Sequence, residues 1–238
     1  METIQHNLQV IRKRMQLACE RSGRGTGDVK LLLATKTVPP DRIKVAFQLG
    51  ENLIGENKVQ ELKEKYEDLS TFPHYSHFIG HLQSGKIKEV IRYVDCIQSV
   101  DRLELAEKLQ RRLEYEDKSI DVFIQVNTSN EVSKFGVNPA QAVMLAEEIT
   151  AFDRLNLKGL MTIGLFSSEA EQVRKCFQLL RQIQRTMLEK GYPVEELSMG
   201  MSGDLEIAIE EGATIVRVGT AVFGQRIYPD SYYWNEGK

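Results

Sequence analysis

Leu31-Leu32-Leu33-Ala34-Thr35-Lys36, followed by Thr37-Val38-Pro39-Pro40, is the stretch on which the reading of this chain turns. The run has the length and apolarity of a strand, and the two prolines stop it just after the lysine. Unbroken apolarity without polar alternation marks a strand buried on both faces, as in a parallel sheet. An ammonium at the end of such a strand is costly unless the place needs an amine. Schiff-base chemistry is the obvious need, because burial lowers the pKa of a lysine and exposes its lone pair.

Outward from that run the pattern is a long alternation of strand and helix. An amphipathic helix over 4–20 leads into the loop Ser22-Gly23-Arg24-Gly25-Thr26-Gly27. Eight short apolar runs follow, at 29–35, 52–54, 75–79, 96–98, 121–126, 158–161, 196–198 and 215–218. Between them, 39–49, 59–69, 102–115, 139–150, 170–190 and 205–211 read as helices. Alternation of this kind implies a parallel sheet. Eight units closing on themselves give a (β/α)8 TIM barrel with an extra N-terminal helix, whereas a doubly wound open sheet more often has fewer strands. The second, fourth and seventh runs are the weakest, which keeps the open sheet as the alternative. No linker-like or low-complexity tract interrupts the chain, so one domain over 1–238 is expected.

Composition narrows the function classes. The 31 basic and 34 acidic residues leave a net charge of −3 without a basic block, so nucleic acid is not an expected partner. Cys19, Cys96 and Cys176 lie far apart, against a disulfide framework or a zinc ribbon. No signal-peptide layout opens the sequence, and no apolar run approaches the roughly 18 residues of a membrane span. A cytoplasmic protein is expected.

In barrels the functional residues gather where strands end and loops begin. Those places hold Lys36, Gly55-Glu56-Asn57, Gly80-His81-Leu82-Gln83-Ser84, Ser99-Val100-Asp101-Arg102 and Asn127-Thr128. The seventh run enters Ser198-Met199-Gly200-Met201-Ser202-Gly203-Asp204, and the eighth enters Arg217-Val218-Gly219-Thr220. Ser/Gly-rich turns entering helices offer backbone N–H groups to an anion, and barrels commonly bind phosphate with their last two loops. Hydroxyls of Ser202 and Thr220 would add to them. A phosphate there and a reactive lysine on the neighbouring first strand suggest an aldehyde with a phosphate handle, and pyridoxal phosphate meets both requirements. Arg217 lies on the face opposite Val216 and Val218; if that face is the lumen, its guanidinium reaches the same region. An arginine partner to a pyridine nitrogen donates a hydrogen bond and disfavours ring protonation, which predicts a weak electron sink.

These stretches resemble the pyridoxal phosphate homeostasis protein family (the YggS/PROSC type), whose fold is like the N-terminal barrel of bacterial alanine racemase. The resemblance is carried by Ala34-Thr35-Lys36-Thr37, by the stretch from Ile54 through Glu61, and by that from His77 through Lys86. Ser99 to Arg102, Ser133 to Val137, Gly159 to Ile163, Leu197 to Asp204 and Arg217 to Gly224 complete it, so it spans the chain. It implies pyridoxal phosphate held on Lys36 as an internal aldimine. Ser202, Gly219 and Thr220 would hold the phosphate with Ser198 and Gly200 nearby, Arg217 would face the pyridine nitrogen, and Asn57 would lie against the ring. Lys134 resembles a second family lysine whose role stays open. Lys58, where many relatives have an aromatic, and Gly85, where asparagine is frequent, depart from the pattern without touching these contacts. The implied function is binding and buffering of the cofactor in vitamin B6 homeostasis, without established catalysis and with pyridoxal phosphate-dependent enzymes as clients.

Plainer readings stand beside these. Alone, Lys36 reads as a strand-end lysine snorkelling to solvent. His74 and His77 fall on opposite faces of a strand, against a metal site, and His81 reads as a hydrogen-bonding loop residue. Asp101 reads as the cap of the following helix, and Ser202 or Asp204 as a cap of the helix over 205–211. The rival function is a pyridoxal phosphate-dependent amino-acid racemase or lyase. Racemisation needs a base on each face of the substrate, and the stretch from Gly224 to Lys238, with Tyr228, Tyr232 and Tyr233, is too short for a second domain to supply one. That shortness also favours a monomer.

Overall fold

Parallel pairing runs from each strand to the next and from the last back to the first, closing an eight-stranded barrel. The computed structural model describes residues 2–224, so Tyr228, Tyr232 and Tyr233 lie outside the described residues. The strands are β1 (Lys30–Ala34), β2 (Leu53–Glu56), β3 (Tyr75–Phe78), β4 (Cys96–Val100), β5 (Ile120–Gln125), β6 (Leu155–Met161), β7 (Glu196–Ser198) and β8 (Ile215–Val218). The helices are α1 (Glu2–Arg21), α2 (Pro40–Gln48), α3 (Val59–Leu69), α4 (Ile87–Val90), α5 (Leu103–Glu116), α6 (Ala142–Thr150), α7 (Ala170–Glu189), α8 (Leu205–Glu210) and α9 (Thr220–Phe223). All eight expected strands form, and closure settles the choice between barrel and open sheet. Two single-turn helices, α4 and α9, escape the periodicity, because four residues are too few to establish a helical repeat.

Two apolar clusters separate by strand alternation. Leu32, Leu53, Cys96, Phe123, Met161 and Ile215 pack together inside the barrel. Leu31, Leu33, Ile54, Val216 and Val218 face outward into the layer between sheet and helices. The alternation in β8 therefore turns Arg217 into the lumen with Ile215, and that in β2 turns Glu56 outward with Ile54.

The outer ring is thin beside β7 and β8, where α8 and α9 are short. The 20-residue α1 fills the gap. Its buried Ile4, Leu8, Ile11 and Met15 recur at helical spacing, and it packs on α8 and α9. Polar ties fix it there. Asn7 donates to the Val222 carbonyl at 2.9 Å, and Arg14 makes a two-point pair with Glu206 at 2.6 and 2.9 Å. Arg14 also donates to the Ser202 carbonyl at 3.0 Å, so the extra helix holds the loop after β7.

Candidate functional site

Lys36 lies two residues beyond the end of β1, half-buried on the C-terminal rim of the barrel. The turn that carries it is unusual. Thr37 adopts φ +64°, a left-handed conformation that a β-branched residue disfavours. Its N–H donates to Glu61 Oε2 at 2.5 Å. On the other side of Lys36, the Thr35 carbonyl accepts from Lys65 Nζ at 2.9 Å and the Thr35 hydroxyl donates to Glu56 Oε1 at 2.6 Å. Lys65 Nζ also contacts Glu56 and Glu61, each at 2.7 Å. Glu56 is 1% exposed and Lys65 8%. Burial raises the Glu56 carboxyl well above the usual carboxylate range, against the pull of Lys65.

Inside the barrel, Arg217 anchors a chain of hydrogen bonds. It donates to the Thr162 carbonyl at 2.7 Å and to Ser198 Oγ at 2.8 Å. Ser198 Oγ donates to Gln98 Oε1 at 2.6 Å, and Gln98 Nε2 meets His77 Nδ1 at 2.7 Å. A guanidinium can only donate, so Ser198 accepts from it and keeps its own O–H for Gln98. In the orientation seen, the Gln98 carbonyl faces Ser198 and its amide faces His77, whose Nδ1 then accepts. Burial, with Lys30 adding to it, lowers the His77 pKa to about 4 and keeps the imidazole neutral at neutral pH. Burial also lowers Arg217 to about 10, with Asp204 opposing. The chain links β8, β7, β4 and β3 across the lumen.

The loops after β7 and β8 depend on two glycines. Gly200 sits at φ +90°, and a Cβ there would lie 2.4 Å from the Ala208 Cβ on α8. At Gly219 a Cβ would lie 2.9 Å from the Ala34 carbonyl oxygen, so this glycine lets the β8 loop close against the end of β1, next to the Lys36 turn. Ser202 is half-buried and Thr220 exposed in these loops. Asp204 Oδ1 accepts from the Met201 N–H at 2.5 Å and makes no cap on α8. Asn57, at the end of β2, buries its Oδ1 with no hydrogen-bond partner among the described residues.

Ser198 thus stands in the lumen, its hydroxyl held by Arg217 and Gln98, while Lys36, Asn57, Gly200, Ser202, Gly219 and Thr220 belong to the rim. Lys134 bridges the rim loops, with its Nζ 2.8 Å from the Gly164 carbonyl and 2.7 Å from Glu131. His81 stacks on Phe135 at 3.7 Å between ring centroids and lies 3.8 Å from Asp101. Asp101 does not cap α5, whose first turn receives no side-chain cap; its carboxylate pairs with Arg102 at 2.6 Å instead. His74 stacks on Phe47, away from the lumen position of His77. The sequence reading passed over Gln98 and Lys65. Lys65 left a trace, because it interrupts the buried stripe of Leu62 and Leu69 on α3 with a charge.

Comparison with known proteins places this architecture. Residues 1–227 match the family model described as alanine racemase, N-terminal domain. The chain is 44% identical over 223 residues to the pyridoxal phosphate homeostasis protein of Aquifex aeolicus, covering 93% of this chain and 97% of that one. It is 39% identical to the Escherichia coli protein of the same name, covering 96% and 99%. Among solved structures, PipY of Synechococcus elongatus with pyridoxal phosphate bound superposes at a TM-score of 0.79, with 32% identity over 90% of this chain and all of that one. Alanine racemase of Clostridium difficile superposes at 0.75 with 15% identity over 97% of this chain and 58% of that one, which is a likeness of fold. Near-complete coverage at such identity, on a closed barrel with a rim lysine and a lumen arginine, makes this chain a member of the pyridoxal phosphate homeostasis protein family.

Proposed function

We propose that this protein binds pyridoxal phosphate at the rim of the barrel and acts in its homeostasis, holding it through a Schiff base with Lys36. What supports the reading is that the Gly219 loop packs on Ala34, two residues before Lys36, while Arg217, in register with Leu32 of the same strand β1, is held in the lumen. The donor set suits the molecule. The unpartnered Asn57 Oδ1 is an acceptor for a ring hydroxyl, Lys36 is the amine, and Arg217 is a donor for a ring nitrogen. Gly200, Ser202, Gly219 and Thr220 would hold the phosphate. Ser198 would serve through Arg217, since its hydroxyl already has two protein partners.

Bound pyridoxal phosphate supplies an aldehyde that condenses with amines and a ring that withdraws electrons from them. Arg217 is built to limit the second property. It is pinned by two acceptors and stays a cation at neutral pH, so it offers the ring a hydrogen bond and opposes its protonation. This favours a non-catalytic carrier over a racemase or lyase. No helix among the described residues is long and apolar enough to cross a membrane. Action as a cytoplasmic monomer that passes cofactor to client enzymes belongs to the same proposal.

The test is the absorbance spectrum of purified protein after adding pyridoxal phosphate, wild type beside Lys36→Ala. A near-visible band that hydroxylamine bleaches and Lys36→Ala lacks is the expected result; no band in the wild type overturns the reading. Sustained turnover of an amino acid, abolished by Lys36→Ala, would replace the carrier with an enzyme.

A further inference from the structure

The ion-pair cluster on the outside of the barrel has no part in the site as described, yet its bonds are oddly directed. A buried carboxyl and ammonium, with a second carboxylate half-buried beside them, are costly to take out of water, and apolar side chains of similar size would serve stability as well or better. Beyond the ion pairs themselves, the side-chain bonds of this cluster go, among the described residues, to two residues. Lys65 reaches the Thr35 carbonyl, Glu56 accepts from the Thr35 hydroxyl, and Glu61 accepts from the Thr37 N–H. Those residues flank Lys36 on either side. Thr37 is also the residue held at φ +64°, a conformation that persists only where the surroundings impose it.

We propose that Glu56, Glu61 and Lys65 are positioning residues that clamp the peptide units on both sides of Lys36, so that its amine meets an incoming aldehyde in one fixed orientation. The clamp acts from behind the strand and touches no ligand. It rests on the reading of Lys36 as the attachment point, and extends that site into the layer between sheet and helices. A fixed turn lowers the entropic cost of bringing the amine into line for attack, so its effect falls on the rate of attachment.

Glu61→Ala removes the acceptor for the Thr37 N–H while leaving the Glu56–Lys65 pair in place. Two readouts separate the clamp from the cofactor reading. Hydrogen exchange at the Thr37 amide, measured without ligand, should accelerate about tenfold on losing one charge-assisted bond. The near-visible band on adding pyridoxal phosphate should grow about tenfold more slowly, by the same factor. Should Glu61→Ala fail to fold, the charge-balanced double variant Glu56→Gln with Lys65→Met releases the Thr35 carbonyl instead, and the same slowing is expected. Unchanged exchange overturns the clamp. Faster exchange with an unchanged rate of band growth overturns its positioning role. A clamp seen by exchange in a wild type that forms no band sinks the cofactor reading, and the positioning proposal with it.

Discussion

The barrel buries charge in two places and treats it in opposite ways. In the lumen one cation, Arg217, is spread over neutral partners, through Ser198 and Gln98 to His77 on the far wall. Behind β1 and β2, two carboxyl groups each lie 2.7 Å from one ammonium, Lys65, around a single turn. The lumen chain orders many elements weakly; the outer cluster orders one segment strongly. The difference teaches that a buried charge fixes structure over a range set by its partners, long through neutral relays and short through counter-ions.

Breaking the outer cluster should cost most. Lys65→Met strands Glu56 among apolar neighbours and should destabilise the protein by about 3–5 kcal/mol, the usual cost of removing one partner from a buried pair. Adding Glu56→Gln should restore most of that loss. Urea unfolding of the single and double variants measures both, and equal stability of the two would place the cost elsewhere.

The lumen chain should show itself through pH. His77 titrates near 4 in the folded protein against about 6.5 for the free side chain, so between those values the unfolded state binds the extra proton. Its contribution is complete above pH 6.5 and is lost as pH falls toward 4, by on the order of 3 kcal/mol. His77→Gln should flatten that part of the stability profile; a difference from wild type that does not vary between pH 7 and 4 would contradict the assignment. Arg217→Gln should be milder, about 1–3 kcal/mol, because it leaves only the Thr162 carbonyl and half of the Ser198 hydroxyl unpaired. It should also loosen the cofactor, and unchanged affinity and melting temperature would remove Arg217 from the site.

Which parts could be read from sequence follows the same division. The strands were legible because each apolar run is cut off by turn residues, and Arg217 because alternation with Val216 and Val218 fixes its face. Alternation also gives the lumen positions of Ser198 and Gln98, but nothing local says that they meet, since β4 and β7 come together only across the closed barrel. The outer cluster depends on how α3 lies back on β2, and spacing along the chain does not encode that. Asp101 failed as a predicted cap for a related reason. Arg102 is a stronger partner for its carboxylate than the backbone N–H groups a cap would bind.

Closure of the barrel has a consequence in time. Its seam pairs Lys30 with Ile215 and Leu33 with Val218, joining the first strand made on the ribosome to the last. Contacts so distant in sequence form late, because the intervening chain must be ordered before they repay its entropy. Until β8 has emerged, Lys36 has neither the Gly219 loop beside it nor Arg217 within the lumen. On the proposed reading, a nascent chain displays the Lys36 amine before the other groups assigned to the cofactor, and competence to bind would arrive with the final strand.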